Sequence, residues 1–175
     1  MGIIYRYFQI SQDDRVLRPP KLIYEKSYTK ENRPKEEAMQ MYVEKAAETE
    51  YIDFLEKPYL LVSNEFKNVV KMYNKEIECR LVILAEKENQ TQAVYWYIDL
   101  SDPDCIVKQK NDAAGNSTPE IFVDESKLNG LNFFKKVNHF KTSYFVGLDL
   151  AESLLRRCLV GFKLEGVAHT KEVGL

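Results

Sequence analysis

The side chains best suited to chemistry in this 175-residue chain are two histidines, three cysteines and one tight group of aspartates. Histidine is the usual general base or metal ligand near neutral pH. His139 stands at the edge of a strand-like stretch and His169 near the end of the chain, so neither is expected to be catalytic. Cys79, Cys105 and Cys158 are far apart and odd in number. That spacing suits neither a disulfide framework nor a zinc site, and the expectation is buried free thiols in a reducing compartment. No G-x-S-x-G elbow, G-x-G-x-x-G turn or phosphate-cradling loop occurs among only seven glycines, which argues against those nucleotide-binding and acyl-transfer chemistries.

Asp99, Asp102 and Asp104 form the acidic cluster. A calcium loop needs more oxygen donors and a glycine at its bend. With Pro103 between two of them, these aspartates read as a turn and as an acidic edge available to a partner. No metal and no cofactor is expected. Tyr95 and Tyr97 stand just upstream. Eleven tyrosines in all suggest a stacking surface for single-stranded nucleic acid, with Tyr5, Tyr7, Tyr24 and Tyr28 alongside those two. Such a surface also needs a basic groove, and here lysines alternate with glutamates almost everywhere. Exposed tyrosines serve a protein interface equally well.

Composition supports a globular protein. Hydrophobic residues make up 45%, charged residues 30%, and the net charge is −2. No bulk electrostatic attraction to nucleic acid or acidic lipid follows from that balance. The opening MGIIYRYFQISQDDR is too short and too polar for a signal peptide, and no stretch approaches the ~20 apolar residues a spanning helix requires. A cytoplasmic location is the expectation.

The elements that must position these residues can be read from periodicity. Ile3–Ile10 alternates as a strand, and Lys21–Tyr24 suggests a second. Pro34 opens a helical pattern to about Ala47, with Ala38, Met41 and Tyr42 on one side, and residues 46–55 either extend it or form another short helix. Tyr59–Val62 predicts a strand. Ser63 then caps a helix whose stripe is Phe66, Val69, Val70 and Tyr73, with Asn74 ending it in a left-handed conformation.

Cys79–Ala85 is apolar almost throughout and predicts a strand buried on both faces. A polar turn, Lys87–Gln90, joins it to an antiparallel strand over Ala93–Leu100, with Val94, Trp96 and Ile98 on the apolar face and Tyr95, Tyr97 and Asp99 on the other. Residues 108–119 predict a mobile hairpin tip. Further strands are expected at Ile121–Val123, Phe133–Phe134 and His139–Val146, with a helical turn between the first two. Asp149 and Glu152 have capping-box spacing for a helix with Ala151, Leu154, Leu155 and Cys158 as its stripe. Gly161 and a strand over Phe162–Val167 follow, then a frayed tail. Together these elements predict an α+β fold: a mostly antiparallel sheet with a few helices packed against it.

Three segments resemble a known family. PYLLVSNEFKNVVKMYNKEIECRLVILAEK (Pro58–Lys87) resembles its strand, capped helix and strand. YWYIDLSDPDCI (Tyr95–Ile106) resembles its paired strand ending in an acidic turn, and FVGLDLAESLLRRCLVGFKLEGV (Phe145–Val167) its closing helix and strand. The family comprises bacterial proteins of polymorphic toxin systems described as predicted immunity proteins. Length suits a single domain over 1–175, with two small ones possible; the resemblance covers a family-like core at 58–167, leaving a less defined portion at 1–57 and a tail at 168–175. The resemblance implies a non-enzymatic cytoplasmic inhibitor that binds a cognate toxin domain, without nucleic acid or membrane as partner. On this reading Tyr95, Tyr97, Asp99, Asp102 and Asp104 are the expected partner-binding residues. Two other classes stay open: an enzyme whose site shows no linear motif, and a nucleic-acid or peptide adaptor using the tyrosines.

Overall fold

The computed structural model describes residues 6–23, 38–109, 120–138 and 141–169. Among these, eleven strands and two α-helices form two mostly antiparallel sheets, the α+β architecture the sequence predicts. The chain divides into two compact units. One unit takes the described residues of Met1–Ser11, Leu100–Arg156 and Lys163–Leu175; the other takes Gln12–Asp99 and Arg157–Phe162.

The first unit holds most of a six-stranded sheet ordered β7-β8-β11-β1-β10-β9. Its strands are β1 (Tyr7–Gln12), β7 (Ile106–Gln109), β8 (Glu120–Val123), β9 (Phe133–Val137), β10 (Thr142–Gly147) and β11 (Phe162–His169). β10 lies between β1 and β9, antiparallel to both, and β11 runs parallel to β8. Cys105, Val123, Leu128, Phe134, Phe145 and Val167 form one core cluster of this unit. There the Phe134 and Phe145 rings stack 5.4 Å apart. The helical turn expected after β8 is a short 3-10 helix at Glu125–Lys127, whose first amides are met by the Asp124 carboxylate.

Helix α2 (Leu148–Arg156) corrects the expected capping. Asp149 lies within its first turn, the Leu148 amide is met by the Arg6 carbonyl at 2.8 Å, and Glu152 pairs forward with Arg156 at 2.9 Å. Backbone carbonyls serve the helix start instead, the Gly147 amide donating likewise to the Asn132 carbonyl at 2.9 Å. The buried stripe is Leu150, Ala151 and Leu154. Leu155 is exposed, and Cys158 lies beyond the helix, also exposed, with φ +54°. Of the three expected buried thiols only Cys105 is buried; Cys79 is half-buried.

The second unit is a five-stranded sheet ordered β2-β5-β6-β4-β3. The strands are β2 (Ala38–Tyr42), β3 (Phe54–Leu55), β4 (Leu61–Ser63), β5 (Glu78–Glu86) and β6 (Thr91–Asp99). β5 and β6 pair antiparallel along their full length through the Lys87–Gln90 turn, as predicted. The buried Glu86 carboxylate braces that turn, accepting from the Asn89 amide at 2.6 Å and the Thr91 hydroxyl at 3.4 Å. Helix α1 (Asn64–Tyr73) begins as expected, with the Ser63 hydroxyl accepting from the Phe66 amide at 3.1 Å. Phe66 then packs on Phe54 and Phe162. Asn74 does end the helix, but at φ −143° rather than in the left-handed region; its amide simply closes on the Val70 carbonyl.

The helix expected over 34–47 is corrected where it can be seen. Ala38–Tyr42 is a strand, parallel to β5, and residues 34–37 lie outside the described residues. Met39, Met41 and Val43 point inward while Ala38 and Gln40 are exposed. That two-residue alternation coexists in the sequence with the helical one, and pairing to the edge of β5 selects it. Residues 44–53 are likewise not helical; the Glu50 amide bonds the Arg18 carbonyl instead.

Candidate functional site

The structure separates the five expected contact residues. Tyr95 and Tyr97 are 3% and 6% exposed and sit in a core with Met41, Leu55, Leu61, Val82 and Leu84. The Tyr95 hydroxyl donates to the Ile52 carbonyl at 2.7 Å, and the Tyr97 ring meets Tyr59 edge-on. Burial, then the negative charge of Asp53, push the Tyr95 phenol well above its ordinary pKa. Asp99 ends β6, half-buried and opposite Glu78. Asp102 and Asp104 belong to the other unit. Asp102 accepts from the Val137 amide at 3.0 Å, and both flank the Lys136 ammonium at 3.4 and 3.6 Å. The acidic turn is therefore partly offset by one ammonium shared between two carboxylates, and partly structural. Of the five residues, Asp104 is the one with a largely exposed side chain.

His139 and the side chain of His169 lie outside the described residues, as do Tyr5, Tyr24 and Tyr28 and the 110–119 part of the expected hairpin tip. Among the described residues, no group of three or more His, Cys, Asp or Glu is placed to hold a metal ion, and no helix is long and apolar enough to cross a membrane.

Two clefts open in the second unit. One, of about 710 Å³, is lined by Pro19, Pro20 and Pro58 beside Gln12 and Glu56. Its Glu56 carboxylate accepts from the Gln12 amide while the Gln12 side chain accepts from the Glu56 amide, so both groups hold backbone. The other, of about 600 Å³, is lined by Lys71, Lys75, Arg80 and Cys79. Lys71 spends its ammonium on the Ile77 and Lys75 carbonyls. Burial raises the Cys79 thiol, which disfavours the thiolate a nucleophile needs.

What the molecule does leave open is one face of the second sheet. Side chains alternate across a strand, so Leu81, Ile83, Val94 and Trp96 lie opposite the core. Leu81 pairs with Trp96 and Ile83 with Val94 across the β5–β6 ladder, and Ala38 and Gln40 extend the same rows on β2. α1 packs against β4 and β6, and its Lys67 ammonium lies 3.7 Å over the Trp96 ring. Val94 remains 52% exposed, and Leu81, Ile83 and Trp96 are half-buried. The face thus presents aliphatic side chains in the open with an aromatic at the helix margin.

No family model matches the chain, and no curated protein does either. The functional reading rests on the geometry of this face and on the resemblance given by the sequence.

The sequence places Val94, Trp96, Ile98 and Leu100 on the apolar side of β6, and Ile98 and Leu100 are buried, but Val94 is exposed and Trp96 half-buried. Tyr95 and Tyr97 are buried instead on the other side, where the Tyr95 hydroxyl finds a carbonyl acceptor, which removes the usual cost of sinking a phenol. The available signal was the identity of β2: once Met39, Met41 and Val43 are read as a period-2 stripe, the core side of the sheet is determined.

Proposed function

We propose that this chain is a binding protein of the immunity type, which attaches to a cognate toxin domain and neutralises it by covering its active site or a surface it requires. It does this in the cytoplasm and performs no bond-making chemistry itself. The observation that carries the reading is the face of β5 and β6 where the exposed Val94 stands beside half-buried Leu81 and Ile83. Contiguous exposed aliphatic residues beside an aromatic are characteristic of protein contact surfaces. About 800 Å² per partner suffices for a standard interface, and a few anchors at its centre supply most of the binding energy. The resemblance to immunity proteins supplies the class of partner.

The adaptor reading loses ground to the same geometry. Tyr95 and Tyr97, which would have to stack on bases, are in the core. The decisive experiment is co-expression with the C-terminal domain of a large secreted protein encoded beside this chain's gene. Growth of the host should be rescued, and the two purified proteins should form a stable complex. Absence of both rescue and complex, with a domain that is toxic alone, overturns the proposal.

A further inference from the structure

The open face carries no carboxylate. Its open or half-buried positions are Ala38, Gln40 and Tyr42 on β2, Cys79, Leu81 and Ile83 on β5, and Gln92, Val94 and Trp96 on β6, while Ala85 and Ile98 on the same side are buried. This occurs in a chain with 27 acidic residues and a net charge of −2. Two cations border it. Lys67 from α1 lies over Trp96, and Lys87 from the β5–β6 turn lies 3.9 Å over the Tyr42 ring. Neither ammonium is paired with a carboxylate among the described residues; each is held by an aromatic face, Lys67 also by the Asn64 side chain. Beneath Lys67, the Trp96 indole N–H is buried without an acceptor among the described residues.

From this we infer that the β2–β5–β6 face is the docking surface, and that its occupant is a protein whose contacting patch is apolar at the centre and bears carboxylates opposite Lys67 and Lys87. The inference rests on the binding reading above and adds the chemistry of the partner. It moves the contact away from the acidic edge of Asp99, Asp102 and Asp104 that the sequence offers to a partner. Complementary charge would draw the acidic patch in and set its orientation, while Leu81, Ile83 and Val94 supply the desolvated centre. A nucleic acid fits the face less well. Its exposed residues are Ala38, Gln40, Gln92 and Val94, which give no open aromatic platform for bases, and two lysines are few for a path of phosphates.

Trp96 is the only tryptophan, so its fluorescence reports directly on this surface. The probe is the adjacent-gene toxin domain, titrated into the full chain. Wild type should bind with a change in Trp96 emission, and binding should weaken as salt is raised. Val94→Asp should weaken binding at least about thirtyfold. Lys67→Glu and Lys87→Glu should each weaken it about fivefold and flatten the salt dependence. Unchanged melting temperatures would show that all three variants fold.

Wild-type binding that all three variants retain, or that leaves Trp96 emission unmoved, overturns this surface and leaves the immunity reading standing. A toxic domain that the wild-type chain neither binds nor rescues overturns both. Self-association of the chain abolished by Val94→Asp, or tight binding of a single-stranded oligonucleotide lost in Lys67→Glu, also overturns the inference by naming a different occupant.

Discussion

Tyr95 hands its phenolic hydrogen to the backbone carbonyl of Ile52 at 2.7 Å, with both residues almost wholly removed from solvent. The bond fastens the irregular segment before β3 to the middle of β6. It explains how a tyrosine took the place in the core that periodicity reserves for Val94 and Trp96.

Tyr95→Phe leaves that carbonyl without its donor. A loss of about 1–2 kcal/mol in unfolding free energy is expected, read as a lower urea midpoint with an unchanged slope.

The same phenol makes stability fall in alkali. The folded chain keeps Tyr95 protonated to higher pH than the unfolded chain, whose phenol titrates near 10. Its contribution is complete below that pH and is lost as pH climbs above it. Burial raises Tyr7 and Cys79 as well, in the same sense. Urea midpoints should therefore decline from about pH 9 upward, and less steeply in Tyr95→Phe.

Gly161 has φ +89°, and a Cβ there would fall 2.3 Å from the Ile52 Cβ. Gly161→Ala should cost about 2–4 kcal/mol, from clash as well as backbone strain. Gly130 provides the comparison. Its φ is +81° with nothing within 4 Å of a Cβ, so Gly130→Ala should cost only about 1 kcal/mol. Thermal melts of the two variants separate the contributions.

Removing the α1 cap tests the local reading directly. Ser63→Ala deprives the Phe66 amide of its acceptor and should cost about 1 kcal/mol, with Ser63→Asp restoring most of it.

Asp102 and Asp104 should differ although both face Lys136. Asp102 also holds the Val137 amide, so Asp102→Ala should destabilise by about 1 kcal/mol. Asp104→Ala should change the melting temperature little, because an exposed ion pair contributes about 0–1 kcal/mol. If either charge reversal abolished binding of the toxin domain, the acidic turn would be restored as the contact region.

Much of the fold was legible because it is encoded locally. Ser63 with Phe66, Val69 and Val70 announces α1, and the polar Lys87–Gln90 between two apolar runs announces the β5–β6 hairpin. What escaped depends on distant partners. Ala38–Tyr42 satisfies a helical and a strand period at once, and only β5, some forty residues on, decides between them. The candidate site escaped for a related reason. Which face of β6 is open depends on where the Tyr95 hydroxyl finds an acceptor, and that acceptor is a backbone carbonyl with no signature in the sequence.

The interleaving of the two units has a consequence for how the protein is made. Arg157–Phe162 completes the unit that began at Gln12: Val160 exchanges bonds with Asp53, Gly161 accepts from Asp13, and Phe162 closes on Phe66. A nascent chain must therefore carry that earlier unit unfinished through some sixty intervening residues of translation. A stop codon just before Arg157 would leave that unit without its closing segment, although every strand of the docking sheet, from Ala38 to Asp99, would already have been made.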